Sequence, residues 1–140
     1  MTSSVTVVPA RRLDRDALRK LLGEDPLLIE HLDSAAILVD DRFHLAASRW
    51  LHYKYQLRPV PATNRAHADR LAIYIRFLRN ERGLNDPNQF LADLFAATEE
   101  DVRAYYRAMQ WNRDTNVSSP TWAGRLSTLK QIHEYLHKRY

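Results

Sequence analysis

Thr63–Leu78 reads TNRAHADRLAIYIRFL, and its spacing decides the fold class. His67, Leu71, Tyr74 and Leu78 recur at intervals of four, three and four, which places them on one face of an α-helix. Arg65, Asp69, Ala72 and Arg76 fall opposite, where solvent is expected. Thr63 or Asn64 supplies an N-cap, and Gly83 ends the helix after about Arg82. Just upstream, Arg58-Pro59-Val60-Pro61-Ala62 is the strongest breaker in the chain, because its two prolines favour an extended connector; it predicts an internal linker.

Before the linker, Ala46 to Tyr55 predicts a helix burying Leu45, Trp50, Leu51 and Tyr55. Ile37-Leu38-Val39 reads as a short extended piece that turns at Asp40-Asp41 towards His44-Leu45. Two amphipathic pieces, Asp14–Leu22 ended by Gly23 and Pro26–Leu32, follow a weakly extended start over residues 1–10. After the long helix, Asn85-Asp86-Pro87-Asn88 is a turn and Phe90–Phe95 a short apolar bridge. Thr98-Glu99-Glu100-Asp101 has the form of a capping box and opens a helix to about Met109, burying Val102, Tyr105, Tyr106 and Met109. Trp111–Ser118 reads as a polar loop, and Ser119-Pro120 starts a last helix with Trp122, Leu126, Leu129, His133 and Leu136 on one face. The expected fold is all-α.

Composition narrows the function. The chain has 140 residues, 45% hydrophobic and 27% charged, which suits one domain with a modest core. It has no apolar run long enough for a membrane span and no signal-peptide pattern, leaving the cytoplasm as the expected location. With no cysteine, disulfides, thiolate zinc sites and cysteine nucleophiles are excluded, and three glycines are too few for a glycine-rich phosphate loop plus ordinary turns. Residues 1–57 carry 8 basic and 8 acidic side chains, whereas residues 58–140 carry 13 and 9, so the net +4 lies wholly beyond the linker. Of the 21 basic residues 17 are arginine, whose planar fork suits phosphate and guanine edges.

One catalytic motif needs weighing. His133-Glu134-Tyr135-Leu136-His137 matches the helical zinc-hydrolase pattern, with two imidazoles on one face and a glutamate as base. No third ligand follows it, and His31, His44, His52 and His67 form no spaced set. His133 also shares a stripe with Trp122 and Leu129, so a half-buried packing role is expected and no metal or cofactor is assigned. Asp40-Asp41 and Glu99-Glu100-Asp101 read as turn and helix-start acids. No serine sits in a nucleophile elbow, and Tyr140 has no activating neighbours in sequence, so no enzyme site is expected in this chain.

From Thr63 onward the sequence resembles the core-binding (SAM-like) domain of tyrosine recombinases, the phage-integrase family. Thr63, His67, Leu71, Tyr74 and Phe77-Leu78 stand where that family's first long helix commonly has threonine, an aromatic, leucine, an aromatic and phenylalanine-leucine; His67 departs from the usual tyrosine. Ala97-Thr98-Glu99-Glu100-Asp101-Val102 with Tyr105 matches its next helix start. Its final helix is matched by Ser118-Ser119-Pro120-Thr121-Trp122, Arg125-Leu126-Ser127-Thr128-Leu129-Lys130 and Tyr135-Leu136. Leu38-Val39-Asp40-Asp41 and Ala47–Leu51 are similar to the family's lead-in, so the match spans about Ile37–Tyr140.

The resemblance implies a small orthogonal four-helix bundle over 37–140, with residues 1–36 as a short helical extension. It implies a grip on duplex DNA during site-specific integration or excision, together with other recombinase protomers. The arginine, histidine and tyrosine of strand cleavage belong to a C-terminal domain, and the chain stops where that family's interdomain linker would begin. Neither a membrane nor a small-molecule substrate is implied. The residues expected to meet DNA are Asn64, Arg65 and Arg70 on the first long helix, with Thr121, Arg125 and Lys130 on the last. The alternative is a helical protein–protein interaction module presenting Trp50, Tyr53, Tyr55 and Trp111.

Overall fold

Val5-Thr6-Val7-Val8 and Ala36-Ile37-Leu38-Val39 are rich in β-branched residues, and in the computed structural model they pair. The structure describes residues 4–8, 34–40, 42–84, 94, 96–111 and 119–139. Among these, strands β1 (Val5–Val8), β2 (Ala36–Val39) and β3 (Arg42–Phe43) accompany helices α1 (Leu45–Leu57), α2 (Pro61–Asn80), α3 (Glu99–Trp111) and α4 (Ser119–Arg139). The described part is mostly helical, as the spacing predicts. A small antiparallel sheet, in the order β1-β2-β3, joins the helices and takes in the extended pieces expected over residues 1–10 and 37–39.

Val5 pairs with Val39 and Val8 with Ala36, so β1 crosses the boundary drawn at residue 36, and Val5 joins the common core. At the β2–β3 turn Asp40 takes a φ of 51°. Its carboxylate accepts from the Ser4 N–H at 2.8 Å, and its own N–H donates to the Ser4 carbonyl at 2.9 Å. The expected helices Asp14–Leu22 and Pro26–Leu32 lie outside the described residues, as do the Asn85–Asn88 turn, the loop 112–118 and all of Phe90–Phe95 except the buried Leu94.

His44 caps α1, its Nδ1 accepting from the Ala47 N–H at 3.1 Å. The helix runs to Leu57 and buries Ala46, Ala47, Trp50 and Leu51, with Tyr55 half-buried. The linker then shrinks to Arg58–Val60. Pro61 occupies the first helical position of α2, where a missing N–H costs nothing, so Val60 rather than Thr63 or Asn64 is the N-cap. A proline pair read as a breaker is in fact a breaker followed by a starter.

α2 is the axis of the structure and is buried more widely than one stripe. Asn64, His67, Leu71, Tyr74 and Leu78 are covered, and so are Ala68, Ala72 and Ile75. Ala72 was expected to face solvent yet is 4% exposed, because the sheet packs on that flank and Arg76 Nη2 donates to the Val5 carbonyl at 2.8 Å. Beyond Asn80, Gly83 adopts a φ of 70° and the Leu84 N–H folds back to the Leu78 carbonyl at 3.0 Å.

α3 opens with the expected capping box. The Asp101 carboxylate accepts from the Thr98 N–H at 2.8 Å, and Thr98 Oγ1 accepts from the Asp101 N–H at 3.4 Å. Arg82 Nε adds a 2.8 Å bond to the same carboxylate. Burial works to raise this carboxyl, but the Thr98 bonds and the Arg82 guanidinium outweigh it and hold it below its ordinary value. Tyr105 is the buried apolar residue of α3 among its described side chains; Tyr106 is exposed and packs on Trp122, and Trp111 belongs to the helix rather than to a loop. In α4 the buried stripe is Thr128, Leu129, Ile132 and Leu136. It is rotated from the expected one, leaving Leu126 exposed and Trp122 and His133 half-buried.

Asn64 joins these parts. Its Oδ1 accepts from the Ala35 N–H at 2.8 Å, and its Nδ2 donates to the Leu51 carbonyl at 3.1 Å. Asn64→Ala orphans the Ala35 N–H and removes a second donor from the Leu51 carbonyl, and should cost about 1–3 kcal/mol in urea unfolding. A loss below about 0.5 kcal/mol, the size of an ordinary surface change, would contradict this.

Candidate nucleic-acid interface

The basic side chains divide into two sets. Around α3 and one flank of α2 they are neutralised: Arg65 pairs with Asp69 at 3.1 Å, Arg82 with Asp101 at 2.8 Å, Arg103 with Glu99 at 2.8 Å and Arg107 with Glu100 at 3.0 Å. Lys54 and Arg58 at the end of α1, Arg70 on α2, and Arg125, Lys130 and Lys138 on α4 have no carboxylate partner among the described residues. Exposed ion pairs add little stability, yet each cancels a charge that a phosphate would otherwise feel.

A polar seam between α2 and α4 holds part of the second set in place. His67 Nδ1 lies 2.9 Å from Thr128 Oγ1, and Arg70 Nη1 donates to the same oxygen at 3.4 Å. Further along, the Tyr74 hydroxyl and His133 Nε2 are 3.0 Å apart. The Arg70 guanidinium lies over Gly124, where a Cβ would come within 2.6 Å of Nη2. Arg125 Nη1 is 2.8 Å from Met109 Sδ on α3. Burial holds both histidines below their ordinary value, reinforced by Arg70 and Lys54 at His67 and by His137 at His133. Burial also pushes the Tyr105 hydroxyl up, with Arg125 opposing.

The six residues expected at DNA do not form one patch. Asn64 is a correction: it is 6% exposed and its amide is committed to Ala35 and Leu51, so it has no surface to offer a base. Arg65 lies on the other flank of α2 from Arg70 and is engaged by Asp69. Arg70 and Arg125 are half-buried along α4, Thr121 is exposed in its first turn, and Lys130 is exposed further round that helix. Sequence reasoning missed Lys54, Arg58 and Lys138. The first two sit four residues apart at the end of α1, Lys54 within the expected helix and Arg58 at the start of the stretch read as linker.

The histidine motif resolves into packing. His133 is bonded to Tyr74 and its ring lies 6.5 Å from that of His137. Among the described residues no group of three metal-ligating side chains comes together. Of the expected aromatic patch, Trp50 is a correction, buried edge-on to His67, while Tyr53 is exposed and packs on Tyr135 with ring centroids 5.2 Å apart. No described helix is long and apolar enough to cross a membrane. No protein-family model matches this chain, and neither curated proteins nor solved structures give a significant match.

Histidines held neutral in the fold bind fewer protons there than in the unfolded chain below the ordinary value of 6.5, so stability falls as pH drops through that value. Asp101, depressed below 3.8, extends the loss into stronger acid. His133→Gln keeps an acceptor for Tyr74 and should flatten part of the first slope in urea unfolding measured across pH. Unchanged stability down to about pH 5 would contradict the assignment.

Proposed function

We propose that this chain binds duplex DNA as the core-binding domain of a tyrosine recombinase, with α1, α2 and α4 turned to the phosphate backbone. In this reading the four helices are the orthogonal SAM-like bundle of that family. The domain acts beside other recombinase protomers and contributes grip rather than strand cleavage. The observation that carries it is the segregation of charge, since the cations without a carboxylate partner gather on α1, α2 and α4 while those around α3 are balanced. Helices joined by the α2–α4 seam would present these cations in fixed register, which is what phosphate contacts need to orient a protein on DNA.

The sequence motifs give the reading its family, and the charge pattern gives it a face. Lys54, Lys138 and Lys130 are compact point charges suited to phosphate, whereas Arg70 and Arg125 keep guanidinium donors at the helix seam. A second reading is favoured by one feature. A groove of about 260 Å³ between α1 and α4 is bordered by Tyr53, Leu57 and Tyr135, and Leu57 is 65% exposed. That suits a protein partner.

Affinity for a duplex should fall with salt at a log–log slope of about −0.9 per phosphate neutralised. Lys54→Glu and Lys138→Glu should each weaken binding to all sequences alike and lower the slope by about 1, while Arg103→Glu on α3 should do neither. Absence of binding at low ionic strength, or equal losses from all three variants, would overturn the DNA reading. Self-association that disappears with Leu57→Ser would favour the second.

A further inference from the structure

A pocket of about 230 Å³ opens where the end of α1, the start of α2 and the middle of α4 meet, with Lys54, Arg58, Thr63 and His67 on its walls. It is large enough for a tetrahedral oxyanion with several waters at about 30 Å³ each. No carboxylate lines it among the described residues. The start of α2 is also uncapped, because Val60 has no side-chain acceptor and Pro61 no N–H. A capping oxygen would ordinarily take the second or third N–H of a helix, here those of Ala62 and Thr63.

The buried side chain behind this opening is engaged at one of its two ring nitrogens. His67 is 9% exposed, and its Nδ1 faces Thr128 Oγ1. Arg70 donates to the same oxygen, and a Thr128 hydroxyl that gives its proton to Nδ1 satisfies all three groups. A neutral imidazole accepting at Nδ1 carries its proton at Nε2. That Nε2 has no protein partner among the described residues and is not sealed from solvent. In that arrangement His67, one of the residues lining the pocket, carries an N–H donor at Nε2. Burial, reinforced by Arg70 and Lys54, favours the neutral ring that this requires.

We propose that this pocket is a phosphate-binding site, in which Lys54 and Arg58 supply charge and the His67 Nε2–H and the first-turn amides of α2 supply directed hydrogen bonds. Each of these groups donates, which selects an oxyanion with several acceptors over a carboxylic acid or a neutral ligand. A nucleic-acid backbone and a small phosphorylated molecule both carry this group. The site stands on its own geometry, whichever source applies and whether or not the chain binds DNA.

The test is a ¹H–¹⁵N NMR titration of the whole chain with inorganic phosphate in chloride buffer. Saturable shifts at the Ala62 and Thr63 amides and at His67 Nε2 are expected. Lys54→Gln and Arg58→Gln should each weaken the apparent affinity roughly tenfold, as loss of a charge-assisted contact does, with the rest of the spectrum preserved. Arg103→Gln should leave it unchanged. A parallel titration with a short duplex identifies the source. The same shifts, reversed by excess phosphate, support a backbone phosphate; shifts with inorganic phosphate alone support a small phosphorylated ligand. If neither titrant moves these signals saturably, or if Arg103→Gln weakens binding as much as Lys54→Gln, the site is overturned.

Discussion

The Asn64 carboxamide accepts from the Ala35 N–H and donates to the Leu51 carbonyl, so one buried side chain ties the approach to β2, the middle of α1 and the first turn of α2 together. The Ala35 N–H would otherwise lie buried without a bond, and the Leu51 carbonyl, already bonded within its helix, gains a second donor. With α2 held there, its flank carrying Ala72 and Arg76 takes the sheet, and Arg76 reaches the Val5 carbonyl. Its opposite flank takes α4 through His67, Arg70 and Tyr74. Near its far end, Phe77 and Tyr74 stack on Tyr105 of α3 at centroid distances of 5.2 Å. A helix enclosed on these sides has few other ways to pack.

The α2–α4 contact is polar where an apolar one would serve stability as well. Tyr74 with His133, and His67 with Thr128 and Arg70, satisfy one another only in one register of the two helices. A slip by one turn would leave several buried polar atoms without partners, at roughly 1–3 kcal/mol each. Specificity of alignment follows, and with it the fixed spacing between cations on α1 and α4. Gly124 contributes by letting the Arg70 guanidinium lie flat against α4. The proposed binding face thus depends on a contact of which Tyr74, Thr128 and His133 need touch no ligand themselves.

Periodicity was a sound guide where one face alone is buried, and a poor one where two are. The α2 stripe and the Thr98–Asp101 capping box were legible because each is set by residues within a few positions of one another. β1 was legible only as a weakly extended start, since its partner β2 lies far along the chain, and the burial of Ala72 follows from that strand. The α4 stripe was misplaced because His133, half-buried through a bond to Tyr74, drew the expected face towards itself and away from Ile132. Asn64 illustrates the same limit at the site: an asparagine in a first helical turn looks like a surface donor until Ala35 and Leu51 are seen around it. The cations of the proposed face are spread over three helices, and only tertiary packing separates them from those that carboxylates neutralise.

Hydrogen–deuterium exchange of the whole chain with and without a duplex at low salt addresses the proposed face directly. Protection should appear at the end of α1, the first turns of α2 and the exposed side of α4, with α3 unchanged. Protection centred on α3, or none anywhere under conditions of saturated binding, would contradict the assignment of the DNA-binding face.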